Sequence, residues 1–144
     1  MGLGHQILWG TLFLGLCFAI EILLLAACTQ WIRVLGVRWR RRSALWRNTG
    51  IVGVALLVIV LAHTLQVWIW AVVWVMFEVL ADWNEAIYFS LVTYTTLGYG
   101  DVVLEPGTRI FGAFASVTGI LAIGLSTAFL VAMMARLFEG RMIR

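Results

Sequence analysis

Three apolar stretches constrain this chain more than any other feature, because each exceeds the roughly 20 helical residues that cross a hydrocarbon core of about 30 Å. They run from Ile7 to Gln30, from Gly50 to Phe77 and from Thr108 to Phe138. In a chain of 144 residues they leave little to build a water-facing surface. Only 12% of the residues are charged and the mean hydropathy is +1.02, whereas a soluble domain carries about 25% charged residues. A span inside lipid must satisfy its own backbone hydrogen bonds, and non-alternating apolar runs of this length do so as helices. The expected fold class is therefore an all-α membrane protein with three transmembrane helices. A cleaved leader would need a basic start and a short apolar core. Here the first basic residue is Arg33, so the first stretch is read as a retained helix.

Charge orients the spans. Every Lys/Arg-type residue is arginine: Arg33, Arg38, Arg40, Arg41, Arg42 and Arg47 fall between the first two spans, a single Arg109 opens the third, and Arg136, Arg141 and Arg144 close it. Glu78, Asp82, Glu85, Asp101 and Glu105 lie between the second and third. The positive-inside rule places the 33–49 segment and the C-terminus in the cytoplasm, and the N-terminus outside. The arginines crowd together in a polar segment, so they read as a topology signal and as a candidate site for anionic lipid headgroups. Cys17 and Cys28 share one helix, too far apart for a disulfide, and read as apolar helix residues.

Residues 82–107 are too short and polar to span and too apolar for a plain loop. Asp82 and Glu85 have capping-box spacing, with Asn84 an alternative N-cap, and a short helix is expected over 84–95. It runs into Thr96-Leu97-Gly98-Tyr99-Gly100-Asp101, and Pro106-Gly107 break the chain before the third span. Irregular backbone at membrane depth is tolerated only where it is buried in protein or lines a water-filled path. Glycines at 98 and 100 permit backbone conformations closed to other residues, so successive carbonyls can face one axis and replace a cation's hydration shell. The C-terminal end of the short helix adds partial negative charge.

With these residues in view, Thr95-Thr96-Leu97-Gly98-Tyr99-Gly100-Asp101 resembles the potassium-channel signature, with leucine where valine or isoleucine is commoner. The resemblance implies a tetrameric pore fold with a re-entrant pore helix and a selectivity-filter strand. K+ would be bound as the permeant ion, with no other cofactor, at Thr96, Leu97, Gly98 and Tyr99, and Gly100 would complete the filter. Asp101, Tyr88, Tyr94 and Thr95 would support it. Asp101 supplies the aspartate that many relatives tie to the pore helix. Val92 occupies a position where some carry glutamate, which leaves Tyr88 and Tyr94 as hydroxyl partners. Val103 stands where some relatives place a tyrosine at the outer mouth. One filter strand per chain implies a homotetramer.

The resemblance covers residues 50–138, divided into an outer helix (50–80), pore helix (84–95), filter (96–100) and inner helix (108–138). An extra N-terminal helix (1–32), a basic cytoplasmic loop (33–49) and a short tail (139–144) lie outside it. On the inner helix, Val117 to Gly124 resembles the glycine-hinge stretch of small bacterial two-helix channels, with Gly119 at the hinge position. The alternative for Gly119 is close helix packing. Ile123, Thr127, Val131 and Ala135 recur at helical spacing and are the expected cavity and gate lining. Glu21 near mid-span is costly unless partnered. His63 and Gln66 on the second span lie at a depth where either could pair with it, fastening the extra helix and offering a titratable contact.

The expected function is K+-selective conduction across a plasma (inner) membrane. A weakly selective cation channel and a non-conducting lipid- or pH-sensing subunit are the alternatives. No hydrolytic, redox or nucleotide-binding constellation is present, so an enzyme is not expected. The few residues after Phe138 predict no cytoplasmic ligand-binding domain.

Overall fold

The computed structural model of the chain describes residues 1–40 and 43–142, with side chains through Leu137. Arg41, Arg42 and Arg144 of the basic segments lie outside the described residues, as does the side chain of Arg141. Four helices make up the structure: α1 (Leu3–Arg38), α2 (Ala44–Met76), α3 (Trp83–Tyr94) and α4 (Arg109–Met142). α1, α2 and α4 are long and apolar enough to cross a membrane. No β-strand forms among the described residues, and 96–100 is irregular rather than laddered.

Helix ends depart from the sequence expectation in the basic segment. α1 continues to Arg38 and α2 begins at Ala44, so most of the expected 33–49 loop is helical. Arginine and leucine are good helix formers, and no proline interrupts this segment. The long arginine stems also let the charged heads reach water while the helix continues. At 1.5 Å per residue α1 is about 54 Å long, far more than a hydrocarbon core, so its basic end projects beyond the span. At its other end α2 stops at Met76 rather than residue 80, and Glu78 takes φ +54°. α4 runs four residues past its expected end, into the 139–144 tail.

α1 buries one narrow stripe, Gln6, Gly10, Cys17, Glu21, Leu25 and Cys28. Their spacing of three, four or seven residues keeps them on one helical face. That face meets both α2 and α4. At Gly10 the Phe114 ring of α4 lies so close that an added Cβ would stand 2.3 Å from it, so glycine is what admits the ring. Gln6 Oε1 accepts the Phe111 N–H at 3.3 Å. This satisfies one of the orphan donors that the first turn of α4 would otherwise leave in an apolar setting. The core is aromatic: Trp70, Trp74 and Phe111 are fully buried. Trp70 stacks on Trp74 at 5.1 Å, and Phe111 meets Trp74 edge-on at 5.4 Å. α1 joins this cluster through Trp9 and Phe13, which reach Phe77 at 5.2 and 6.0 Å. The short helix α3 is fastened to α2 by the Trp74 indole N–H, which donates to Ser90 Oγ at 2.9 Å.

Candidate functional site

α3 begins where Asp82, in extended conformation, accepts the Glu85 N–H on Oδ2 at 3.0 Å. This is a side-chain N-cap of the kind that stabilises a helix start by about 1 kcal/mol. It ends at Tyr94 because the chain then reverses hand: Thr96 takes φ +59°. The segment that follows turns back on the C-terminal carbonyls of α3. Thr96 N–H donates to Thr93 O and Gly98 N–H to Val92 O, both at 3.0 Å. Thr95 Oγ1 donates to Leu91 O at 2.7 Å.

Within the segment the sign of φ alternates. Thr96 (+59°), Gly98 (+47°) and Gly100 (+80°) are left-handed, and Leu97 and Tyr99 between them are not. Alternation of hand along a strand removes the usual reversal of successive peptide planes, so neighbouring carbonyls can face one side. Glycine supplies this conformation without steric cost at 98 and 100, whereas at Thr96 it is adopted against preference. Leu97 and Tyr99 are 55% and 69% exposed, so the chain's own helices leave the segment open.

Beyond it, Asp101 is held from two sides. The Tyr88 hydroxyl donates to Oδ2, and the Val102 N–H to Oδ1 at 3.0 Å. The Tyr88 hydrogen bond holds the Asp101 carboxyl below the usual carboxylate range and, reciprocally, pushes the Tyr88 phenol up. Tyr94, the other hydroxyl expected near Asp101, is elsewhere. Tyr88 and Tyr94 are six residues apart on α3, which at 100° per residue turns them about 120° from one another, and only Tyr88 faces Asp101.

Tyr94 instead belongs to a buried polar chain that joins all four helices. Its hydroxyl donates to Gln66 Oε1 at 3.1 Å and lies 2.7 Å from His63 Nδ1. Gln66 Nε2 donates to Glu21 Oε2 at 2.7 Å, and Ser126 Oγ of α4 donates to Glu21 Oε1. Of the two partners considered for Glu21, the structure joins it to Gln66, while His63 bonds Tyr94. Ser126 was missed. Its only sequence signal is a hydroxyl at matching depth on the third span.

On α4 the buried positions Phe111, Ala115, Thr118, Ala122 and Ser126 form the face turned to α1, α2 and α3. Ile123, Thr127, Val131 and Ala135 are exposed on the side the chain leaves uncovered. Gly119 lies against the end of α3, where an added Cβ would stand 1.8 Å from the Tyr94 carbonyl oxygen. Around Gly124 no atom lies within 4 Å of such a Cβ.

Membrane-spanning helices that bracket a short capped helix and an alternately handed, glycine-containing segment define an ion-channel pore unit. A family model described as "Ion channel" matches residues 62–136, and the chain belongs to that family, whose members are channels and not enzymes. The human and rat proteins named A-type voltage-gated potassium channel KCND3 are each 39% identical to it over 53 residues. That match takes in 36% of this chain and 8% of those proteins, so the chain covers a small part of their length. No solved structure matches significantly.

Proposed function

We propose that the chain is a subunit of a K+-selective channel in which four copies surround one pore. The observation that carries this reading is the alternating hand of Thr96 to Gly100 at the C-terminal end of α3, in a sequence that reads TLGYGD. Four such segments around an axis offer rings of carbonyls from Thr96, Leu97, Gly98 and Tyr99, with the Thr96 hydroxyl below, in place of water around a dehydrated K+. In this reading α3 is the re-entrant pore helix and Asp101, tied to Tyr88, braces the outer end of the filter. The uncovered face of α4 with Ile123, Thr127, Val131 and Ala135 lines the inner cavity, and Gly119 seats α4 against α3. The arginine-rich ends of α1 and α2 face the cytoplasm of a plasma (inner) membrane, where Arg33, Arg38, Arg40 and Arg47 meet anionic headgroups.

The test is flux from liposomes containing the purified protein, with K+ and Na+ gradients compared and valinomycin marking the full K+ signal. K+ flux with little Na+ flux is expected, and its loss in Gly98→Ala. At Gly98 there is room for a methyl group, but φ is +47°. The substitution therefore acts through backbone strain of about 1–2 kcal/mol in each copy. Equal K+ and Na+ flux would replace this reading with a weakly selective cation channel. Flux that appears only with anionic lipid would assign the arginine cluster a gating role.

A further inference from the structure

Tyr94 is pinned at both ends. Its carbonyl lies against Gly119 of α4, and its hydroxyl bonds Gln66 and His63 of α2. It is the last residue of α3, two before Thr96, where the backbone first turns left-handed. A displacement of Tyr94 therefore moves the base of the ion-binding segment directly.

The hydrogen bonds that hold its hydroxyl have one direction. Tyr94 donates to Gln66 and Gln66 donates to Glu21. Since the Tyr94 proton is committed to Gln66, its oxygen accepts from His63 Nδ1–H. Ser126 donates to the other carboxyl oxygen from α4. Every donor thus points toward Glu21, which ends the chain because its two oxygens accept from both sides. Glu21 and Gln66 are fully buried, and Tyr94 and Ser126 are 2% and 3% exposed, so no water competes for these groups. Removing one member leaves a buried partner unpaired, the Gln66 acceptor when Tyr94 is lost and the Gln66 and Ser126 donors when Glu21 is lost, which costs more than the hydrogen bond itself, and members of one network do not act additively.

We infer that Tyr94 is a positioning residue for the filter, and that Glu21 of α1 sets its place through Gln66. The first helix would then be a component of ion discrimination rather than an appendage to the pore. This rests on the channel reading above.

The experiment measures the Na+/K+ flux ratio of purified wild type, Tyr94→Phe, Glu21→Ala, the double variant and Glu21→Gln in liposomes. In parallel it measures the extra thermal stability that K+ confers over Na+ on each protein in detergent. Tyr94→Phe and Glu21→Ala should each raise the flux ratio by about fivefold or more, the effect expected from one buried hydrogen bond. The double variant should go no further than the larger single one. Glu21→Gln should return close to wild type, because a flipped Gln66 amide and the other His63 tautomer let the whole chain reverse direction with every bond kept. A purely structural role would lower melting temperature without moving either ion preference. Wild-type flux ratios in Tyr94→Phe and Glu21→Ala would overturn the inference. For a variant too weak to conduct, an unchanged K+ preference in thermal stability would overturn it equally. Absence of any K+ preference in the wild type, by both readouts, would remove the K+-selective reading on which this inference rests.

Discussion

Gly119→Ala is a substitution whose sign can be worked from the geometry. The new methyl carbon would lie 1.8 Å from the Tyr94 carbonyl oxygen and 2.7 Å from its carbon, where ordinary contact begins at 3.4 Å. α4 or the end of α3 must therefore retreat by about 1.6 Å. The obstacle is backbone and cannot swing aside as a side chain would. Overpacking of this kind costs about 1–3 kcal/mol, and a rigid neighbour places Gly119 toward the upper end. Against that, alanine gains about 1 kcal/mol over glycine in a helix. The net expectation is a loss of about 1–2 kcal/mol per chain. Gly124→Ala is the control, since it brings the same gain in helix propensity and meets nothing within 4 Å. It should be neutral or slightly stabilising. Both proteins stiffen α4 equally, so comparing them separates packing from bending. Melting of the purified protein in K+ reads packing, and liposome flux reads conduction. Gly119→Ala should melt well below wild type while Gly124→Ala does not. Equal melting of all three proteins, with flux altered in Gly119→Ala alone, would refute the packing argument and restore Gly119 as a hinge.

Two further outcomes follow from the outer end of the site. Asp101 is held below the ordinary carboxylate value of about 3.9, and Tyr88 above the ordinary phenol value of about 10. The depressed Asp101 contributes above its unfolded value and loses that contribution as pH falls through its folded one. The raised Tyr88 contributes below its unfolded value and loses it as pH rises through its folded one. K+ flux and Na+ exclusion should accordingly stay constant between about pH 5 and pH 9. Tyr88→Phe should move the acidic limit of that plateau upward, as read by flux against external pH. An acid limit unmoved by Tyr88→Phe would show that the contact does not brace the filter. Val103 is 64% exposed beside this end and offers no aromatic face, so external tetraethylammonium should block weakly. Val103→Tyr, which supplies rings for cation–π contact, should tighten block by about tenfold or more. Strong block of the wild type would contradict the placement of Val103 at the mouth.

The parts of the fold that were legible in the sequence are those fixed by local chemistry. Three apolar runs gave three spans, and Asp82 with Glu85 gave the start of α3. Gly98 and Gly100 marked where left-handed backbone would fall. What was illegible depended on rotation and on a third partner. Tyr88 and Tyr94 looked equivalent as partners for Asp101 by distance along the chain, and only their angular offset on α3 separates them. His63 and Gln66 lie one turn apart on the same side of α2, so depth alone did not choose between them. The positive φ of Thr96 was also unmarked, since threonine does not favour it. The helical course of the arginine-rich segment was illegible for a different reason: charge reports which side of the membrane a segment occupies, not whether its backbone is helical.

The contacts of α1 place a condition on how α4 can move. α1 holds α4 at Phe111 through Gln6, at Phe114 through Gly10 and at Ser126 through Glu21. Two of these lie before Gly119 in the sequence and one after it, so α1 spans the position about which a bend would occur. A straight helix gripped on both sides of a joint cannot bend there unless one grip opens or the gripping helix bends with it. The Phe114 contact is a ring fitted onto glycine backbone, and the Phe111 contact satisfies a helix-end donor, so both are rigid. The Ser126 hydroxyl, like that of any serine in a helix, can turn to the carbonyl one turn before it. It is the grip that can release at least cost. An opening that bends α4 at Gly119 therefore either separates Ser126 from Glu21 or carries the second half of α1 along. In the first case Glu21 loses one of its two buried donors at the moment the pore widens, leaving Gln66 to hold it alone.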